Sequence, residues 1–138
     1  MKINAENLVT GRIASLVAKE ALEGKKVEII NAEKAVILGN KNNIVSRYKT
    51  RIDRAAKGNP LKGPKYSRMA DRLLRTAIKG MLPTNSKRGR EAIGRVIVSI
   101  GVPENVKAEE FERPENAKNH EQKRFITLGE LSKTLGAR

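Results

Sequence analysis

Arg68, Arg72, Arg75 and Lys79 follow one another at steps of four, three and four residues, the spacing that sets side chains in one row along a helix. The chemistry open to such a row is electrostatic. Guanidinium and ammonium groups neutralise phosphate, and the flat fork of Arg meets it through two parallel hydrogen bonds. Like charges at i, i+4 cost an isolated helix a few tenths of a kcal/mol per pair. A row of four cations with no acid on the same face therefore implies a polyanion to offset it.

The stretch KGMLPTNSKRGREA, Lys79 to Ala92, poses the same question more sharply. Pro83 ends one helix, polar turn formers follow, and Lys87, Arg88 and Arg90 then gather where the next helix begins. Amide dipoles place partial positive charge at that point, so each cation there costs roughly 0.3 to 1 kcal/mol unless an anion is near. Gly80, Met81 and Leu82 are expected to close the first helix and anchor in the core. Gly89, without a side chain, would permit a close backbone approach, and phosphate suits exposed helix-start amides. Arg47, Arg51 and Arg54, at i, i+4 and i+7, line the flank of an earlier helix. Lys62 and Lys65 lie in a loop broken by Gly58, Pro60, Gly63 and Pro64.

The charge balance concentrates on this part of the chain. The protein has 138 residues with 29 Lys or Arg and 15 Asp or Glu, a formal charge of +14. Residues 45–95 hold 15 of the cations, nine of them Arg, against Asp53, Asp71 and Glu91, which accounts for 12 of the 14 excess positive charges. That is the footprint of a surface facing nucleic acid. Aromatic stacking has few residues to draw on: Tyr48, Tyr66, Phe111 and Phe125 are the whole supply.

Catalytic alternatives fit poorly. The chain has no cysteine and one histidine, His120, which removes thiol, Ser-His and multi-His metal chemistry. Gly11 follows the first strand without the further glycines of a dinucleotide fingerprint. GNPLKGPK, Gly58 to Lys65, has the glycine spacing of a phosphate-binding loop, but Pro64 stands where that loop needs Lys. Glu109, Glu110, Glu112 and Glu115 read as a solvated acidic loop before they read as a metal site. Gly39 to Asn43 reads as an ordinary strand-to-helix turn before it reads as an anion site. No cofactor, metal or small-molecule substrate is expected. With no run near 18 apolar residues and no signal-peptide core, neither is a membrane; the expected location is intracellular.

These residues require a scaffold of one domain over 1–138, with a basic segment 45–95 and an irregular excursion 103–125. Lys2 to Ala5, Lys26 to Asn31, Ala35 to Leu38 and Arg95 to Ile100 read as strands. A helix capped by Thr10 runs to about Leu22 and stops at Gly24. A second starts at Asn40 and runs to about Lys57 with Ile44, Tyr48, Ile52 and Ala55 inward. A third covers Ser67 to Met81 with Ala70, Leu73, Leu74, Ala77, Ile78 and Met81 inward. A short helix from Lys87 is capped by Thr84, Asn85 or Ser86. A last one opens with the capping box Thr127 to Glu130 and buries Leu128, Leu131 and Leu135. Alternation of strand and helix implies an α/β fold, three-layer α/β/α with a mainly parallel sheet of about four strands.

GRIASLVAKEALEGKKVEIINAE (Gly11 to Glu33), GNK (Gly39 to Lys41), RLLRTAIKGMLPTNSKRGREA (Arg72 to Ala92) and the terminal LGELSKTLG resemble the family of the universal large-subunit ribosomal protein thirteen, in its archaeal and eukaryotic form. The most specific piece is GMLP followed by a basic helix start. The resemblance implies a non-catalytic, cytoplasmic constituent of the large ribosomal subunit that binds its ribosomal RNA, touches neighbouring ribosomal proteins and supports subunit assembly. It implies contacts through Arg72, Arg75, Lys79 and Gly80 to Arg90. The chain departs from the bacterial form in lacking an aromatic N-terminal lead-in and in carrying Lys79 where Arg is more usual. A nucleotide-dependent enzyme on the same sheet and a DNA-compacting protein are the rival readings, separable by nucleotide turnover and by competition with duplex DNA.

Overall fold

The structure, a computed structural model, describes residues 1–54, 58–59, 61–104, 110–119 and 124–137. Three short strands form a parallel sheet in the order β1 (Lys2–Asn4), β2 (Val27–Ile30), β4 (Val96–Val98). Ile3 lies beside Ile29, and Val27 beside Val96. The central strand contributes Val27, Ile29 and Ile30 to the interior, as a sheet covered by helices requires. The α/β class is therefore as the alternating pattern implied.

The third strand of the chain does not join that sheet. At Asn31 the backbone turns left-handed, at φ 55° and ψ 39°, a conformation Asn tolerates better than most residues. Its N–H bonds to the Gly101 carbonyl at 3.0 Å, and its Nδ2 donates to Asn4 Oδ1 at 3.0 Å. A single 3-10 turn, Ala32–Lys34, follows and redirects the chain. β3 (Val36–Leu38) then pairs antiparallel with β5 (Phe125–Thr127), Ile37 opposite Ile126. β5 falls at the end of the expected excursion, where three residues carry too little pattern to announce a strand.

Helix α1 (Thr10–Leu22) packs on α3 (Ala70–Gly80) and α4 (Lys87–Gly94), and it buries Ile13, Ala14, Val17 and Ala21. Its cap is Val9 and not Thr10, whose hydroxyl lies inside the first turn and donates to the Val36 carbonyl at 2.9 Å. Gly24, at φ +95°, ends the helix. The N–H of Gly24 bonds Ala21 and that of Lys25 bonds Glu20, the paired bonds of a left-handed helix stop. Lys25 Nζ then sits 2.8 Å from Glu20 and 3.0 Å from Glu23. These bonds raise the Lys25 ammonium above its usual value, and the bond to Lys25 holds the Glu23 carboxyl below its own.

Helix α2 (Lys41–Asp53) starts at Asn40, whose side chain accepts the N–H of Asn42. It stops at Asp53, with Arg54 as its C-cap; Ala55 and Lys57, expected to continue it, lie outside the described residues, as does Pro60. No residue of α2 is buried, and its inward stripe of Ile44, Tyr48 and Ile52 is only half covered. The helix lies against the body of the protein instead of within it.

Residues 110–119 are irregular but attached. Glu112 exchanges backbone bonds with Lys2 and Asn4 along the free edge of β1, and the Val9 N–H bonds the Ala117 carbonyl at 2.8 Å. Phe111 and Ala117 are buried there. Glu110 pairs with Lys2 and Glu115 with Lys118, so these carboxylates have cationic neighbours; Glu109 and His120 lie outside the described residues. Helix α5 (Leu128–Thr134) closes the fold and buries Leu128 and Leu131, with Leu135 beyond its end. Thr127 accepts the Glu130 N–H, as a capping box requires, but the Glu130 carboxylate turns outward to Lys41 instead of back to the cap. No helix of the described residues is long and apolar enough to cross a membrane.

Candidate nucleic-acid interface

Helix α3 carries the contrast that its sequence promises. Ala70, Leu73, Leu74 and Ile78 are buried against α1 and α5, while Arg72, Arg75 and Lys79 are exposed. Helical geometry begins at Ala70, three residues later than the periodicity implied, with Met69 as the cap. Arg68 therefore stands before the helix and leaves the row; its guanidinium lies near Gly136, past the end of α5. The far end also differs. Met81 is 46 % exposed and Gly80 is exposed, whereas Leu82 is 6 % exposed and alone anchors the turn. Met81 sits at the C-cap, so the inward direction passes to the next residue as the chain leaves the helix.

The turn from α3 to α4 is built around Pro83. Its carbonyl accepts the Ser86 N–H at 3.0 Å and the Ser86 hydroxyl at 2.9 Å. Ser86 is the N-cap of α4, since its Oγ also accepts the Gly89 N–H at 3.2 Å. A Cβ on Gly89 would meet the Pro83 carbonyl oxygen at 2.1 Å. The close approach that glycine permits is thus made by the protein's own backbone, and Gly89 is buried beneath it. No such crowding surrounds Gly80.

The cations at the start of α4 separate into three kinds. Arg88 Nη2 donates to the Leu22 carbonyl at 3.2 Å, and Arg95 Nη1 donates to Ala21 at 3.3 Å; both bonds fall on the C-terminal carbonyls of α1. Arg75 does the same for α4 through Ile93, at 3.2 Å. A helix C-terminus carries partial negative charge and unpaired carbonyls, so it accepts cations. Lys87 is of the second kind, 89 % exposed and 4.0 Å from Glu91, which also lies 3.7 Å from Arg95. Arg90 is of the third kind: it is exposed and, among the described residues, has neither an ion pair nor a side-chain hydrogen bond. Arg72 and Lys79 share that condition, as do Arg47, Arg54, Lys62 and Lys65.

Arg51 is held differently, with its guanidinium carbon 5.5 Å from the centre of the Tyr48 ring. The fold thus brings Arg72, Lys79 and Arg90 onto α3 and the adjoining helix start, leaves Arg47, Arg51 and Arg54 on peripheral α2, and sets Arg68 apart. The organising roles of Arg95 and Glu91 were not legible in the sequence, because an intramolecular carbonyl acceptor leaves no mark on residue spacing. Chemically the surface offers positive charge carried on α3 and the start of α4.

Comparison with known proteins bears on what this surface belongs to. Residues 1–105 match the family model of Ribosomal protein L13. The chain is 45% identical over 139 residues to the large ribosomal subunit protein uL13 of Methanopyrus kandleri, a match covering 97% of this chain and 85% of that protein. It is 43% identical over 139 residues to the protein of the same name from Methanococcus maripaludis, covering 99% and 97%. With that of Methanosphaera stadtmanae it shares 42% identity over 137 residues, covering 99% and 96%. These matches reach past the family model into the segment that covers β1 and into α5. A family model over three quarters of the chain and relatives above 40% identity along nearly all of it leave one conclusion: the chain belongs to the ribosomal protein L13 family.

Proposed function

We infer that this protein is a constituent of the large ribosomal subunit, in the cytoplasm, that binds large-subunit ribosomal RNA and supports subunit assembly. The observation that carries this reading is the set Arg72, Lys79 and Arg90: exposed, held on helices, and without intramolecular partners among the described residues. A folded protein gains nothing from keeping like charges together unless a partner supplies the counter-charge. Phosphates of folded RNA supply it, and an α/β body with fixed helix positions recognises their arrangement in space more than base sequence. Arg47, Arg54, Lys62 and Lys65 offer further exposed cations outside that set, and Arg75 and Arg88 contribute charge while bonding helix ends. Neighbouring ribosomal proteins meet the remaining faces.

The test is binding of the purified protein to large-subunit RNA across a salt series, with duplex DNA as competitor. Binding that resists the competitor, with log affinity falling by roughly 0.7 to 0.9 per neutralised phosphate against log salt, is the expected result. Equal loss to duplex DNA would favour a generic DNA-compacting protein and overturn the ribosomal assignment of this surface.

A further inference from the structure

Three cavities border α2, and one of them gathers aromatic groups that the sequence leaves 18 residues apart. The cavity between α2 and α3 has a volume of about 240 Å³ and is lined by Tyr48, Arg51, Ile52, Tyr66, Leu73 and Ala77, with Ser67 and Thr76 beside them. Tyr48 and Tyr66 are the only tyrosines of a chain that has no tryptophan. Half of its four aromatic side chains therefore face a single hole. A second cavity, of about 330 Å³, lies on the same side of α2 toward its start, and shares Tyr48 and Arg51 while adding Arg47.

Ordinary core packing does not account for this arrangement. Interiors fill their space to crystal-like density, yet α2 has no buried residue and Tyr66 remains 46 % exposed. The walls call for a flat apolar body, since Ile52, Leu73, Ala77 and two phenol rings line the space. The rim calls for negative charge, since Arg51 stands at the cavity and Arg47 one turn away, and among the described residues no acid lines either cavity. Ligand sites for whole small molecules run to roughly 300 to 1,000 Å³, so the space suits one ring system better than an entire cofactor. A planar ring with an anionic tail is a nucleobase on its phosphodiester chain. An apolar side chain from a neighbouring protein would fill the floor but leave Arg47 without a counter-charge.

We propose that the cavity between α2 and α3 is a stacking slot for one unpaired base of RNA, seated against Tyr66 and Tyr48 while Arg51 and Arg47 neutralise the phosphates beside it. The proposal rests on the ribosomal RNA reading and adds to it a contact that is not electrostatic. Sequence-specific RNA recognition commonly works on bases splayed out of the helix and stacked on aromatic rings.

The two tyrosines make the slot directly observable, because tyrosine emission from this protein arises only there. The experiment compares the full-length protein with Tyr66→Ala and Tyr66→Phe, each checked for folding by circular dichroism. Large-subunit RNA, a fully paired RNA duplex and adenosine monophosphate serve as probes. Stacking predicts quenching by large-subunit RNA and not by the duplex. It also predicts affinity for large-subunit RNA weakened roughly 5- to 100-fold in Tyr66→Ala and recovered in Tyr66→Phe. The salt dependence should stay unchanged, since no phosphate contact is lost. Equal affinity of Tyr66→Ala and the parent for that RNA, with unaltered emission, would overturn the slot while leaving the RNA surface standing. Absence of any RNA binding would overturn both. Quenching by adenosine monophosphate at affinity matching the RNA would replace the chain-borne base with a free nucleotide.

Discussion

The carbonyl oxygen of Pro83 occupies the position that a side chain at Gly89 would need, 2.1 Å from where its Cβ would stand. Backbone on both sides of that contact leaves nothing soft to move. The Pro83 carbonyl is also the acceptor for Ser86, so displacing it disturbs the cap of α4. Gly89→Ala is therefore expected to destabilise the fold by about 1 to 3 kcal/mol or more, read as a lower urea midpoint. A variant as stable as the parent would show that α4 can shift away from Pro83 without cost.

Arg90 and Arg88 are two residues apart, yet among the described residues only Arg88 has an intramolecular acceptor. Arg90→Ala should leave stability within about 0.5 kcal/mol of the parent while lowering RNA affinity and reducing the salt slope by roughly 0.7 to 0.9. Arg88→Ala should lower stability as well, by about 0.5 to 1.5 kcal/mol, because the Leu22 carbonyl at the end of α1 loses a charged donor. Paired denaturation and binding curves separate the two. Identical stability losses would remove the distinction drawn between them.

Ser86 serves both neighbours of the turn: its hydroxyl donates to Pro83 and accepts from Gly89. Replacing it by alanine should cost about 0.5 to 2 kcal/mol, the usual range for a lost N-cap. Ser86→Asp should recover most of this, since a carboxylate still accepts from Gly89 and suits a helix start. If the aspartate variant is no better than alanine, the donated bond to Pro83 is the one that matters.

Helix α2 should open before the others. With no buried residue, its amides are expected to exchange hydrogen faster than those of α1 and α3 in the free protein, and to slow when large-subunit RNA is bound. Exchange of α2 as slow as that of α3 in the free protein would show that its half-covered stripe holds it as firmly as a core face.

Several features could be read directly from residue order. The amphipathic period of α3, with Leu73, Leu74 and Ile78 opposite Arg72 and Lys79, follows from 3.6 residues per turn and needs no partner to be recognised. Gly24 as a stop, Asn40 as a start and Thr127 as a cap are local signals, because the groups they satisfy lie within a few residues. The gathering of positive charge in 45–95 is a count.

What the tertiary structure alone decided depends on groups distant in the chain. β3 pairs with β5 rather than with the parallel sheet because the left-handed Asn31 is held by Gly101 and Asn4, contacts 70 and 27 residues away. Arg75, Arg88 and Arg95 look equivalent to Arg72 and Arg90 in one dimension. They differ only because the carbonyl ends of α1 and α4 come to rest beside them. Gly89 is a plausible phosphate cradle until Pro83 is seen to fill it. Charge, periodicity and capping are properties of neighbours in sequence, so the sequence by itself determined them. The choice of which cations remain free, and which aromatic rings share a cavity, belongs to neighbours in space.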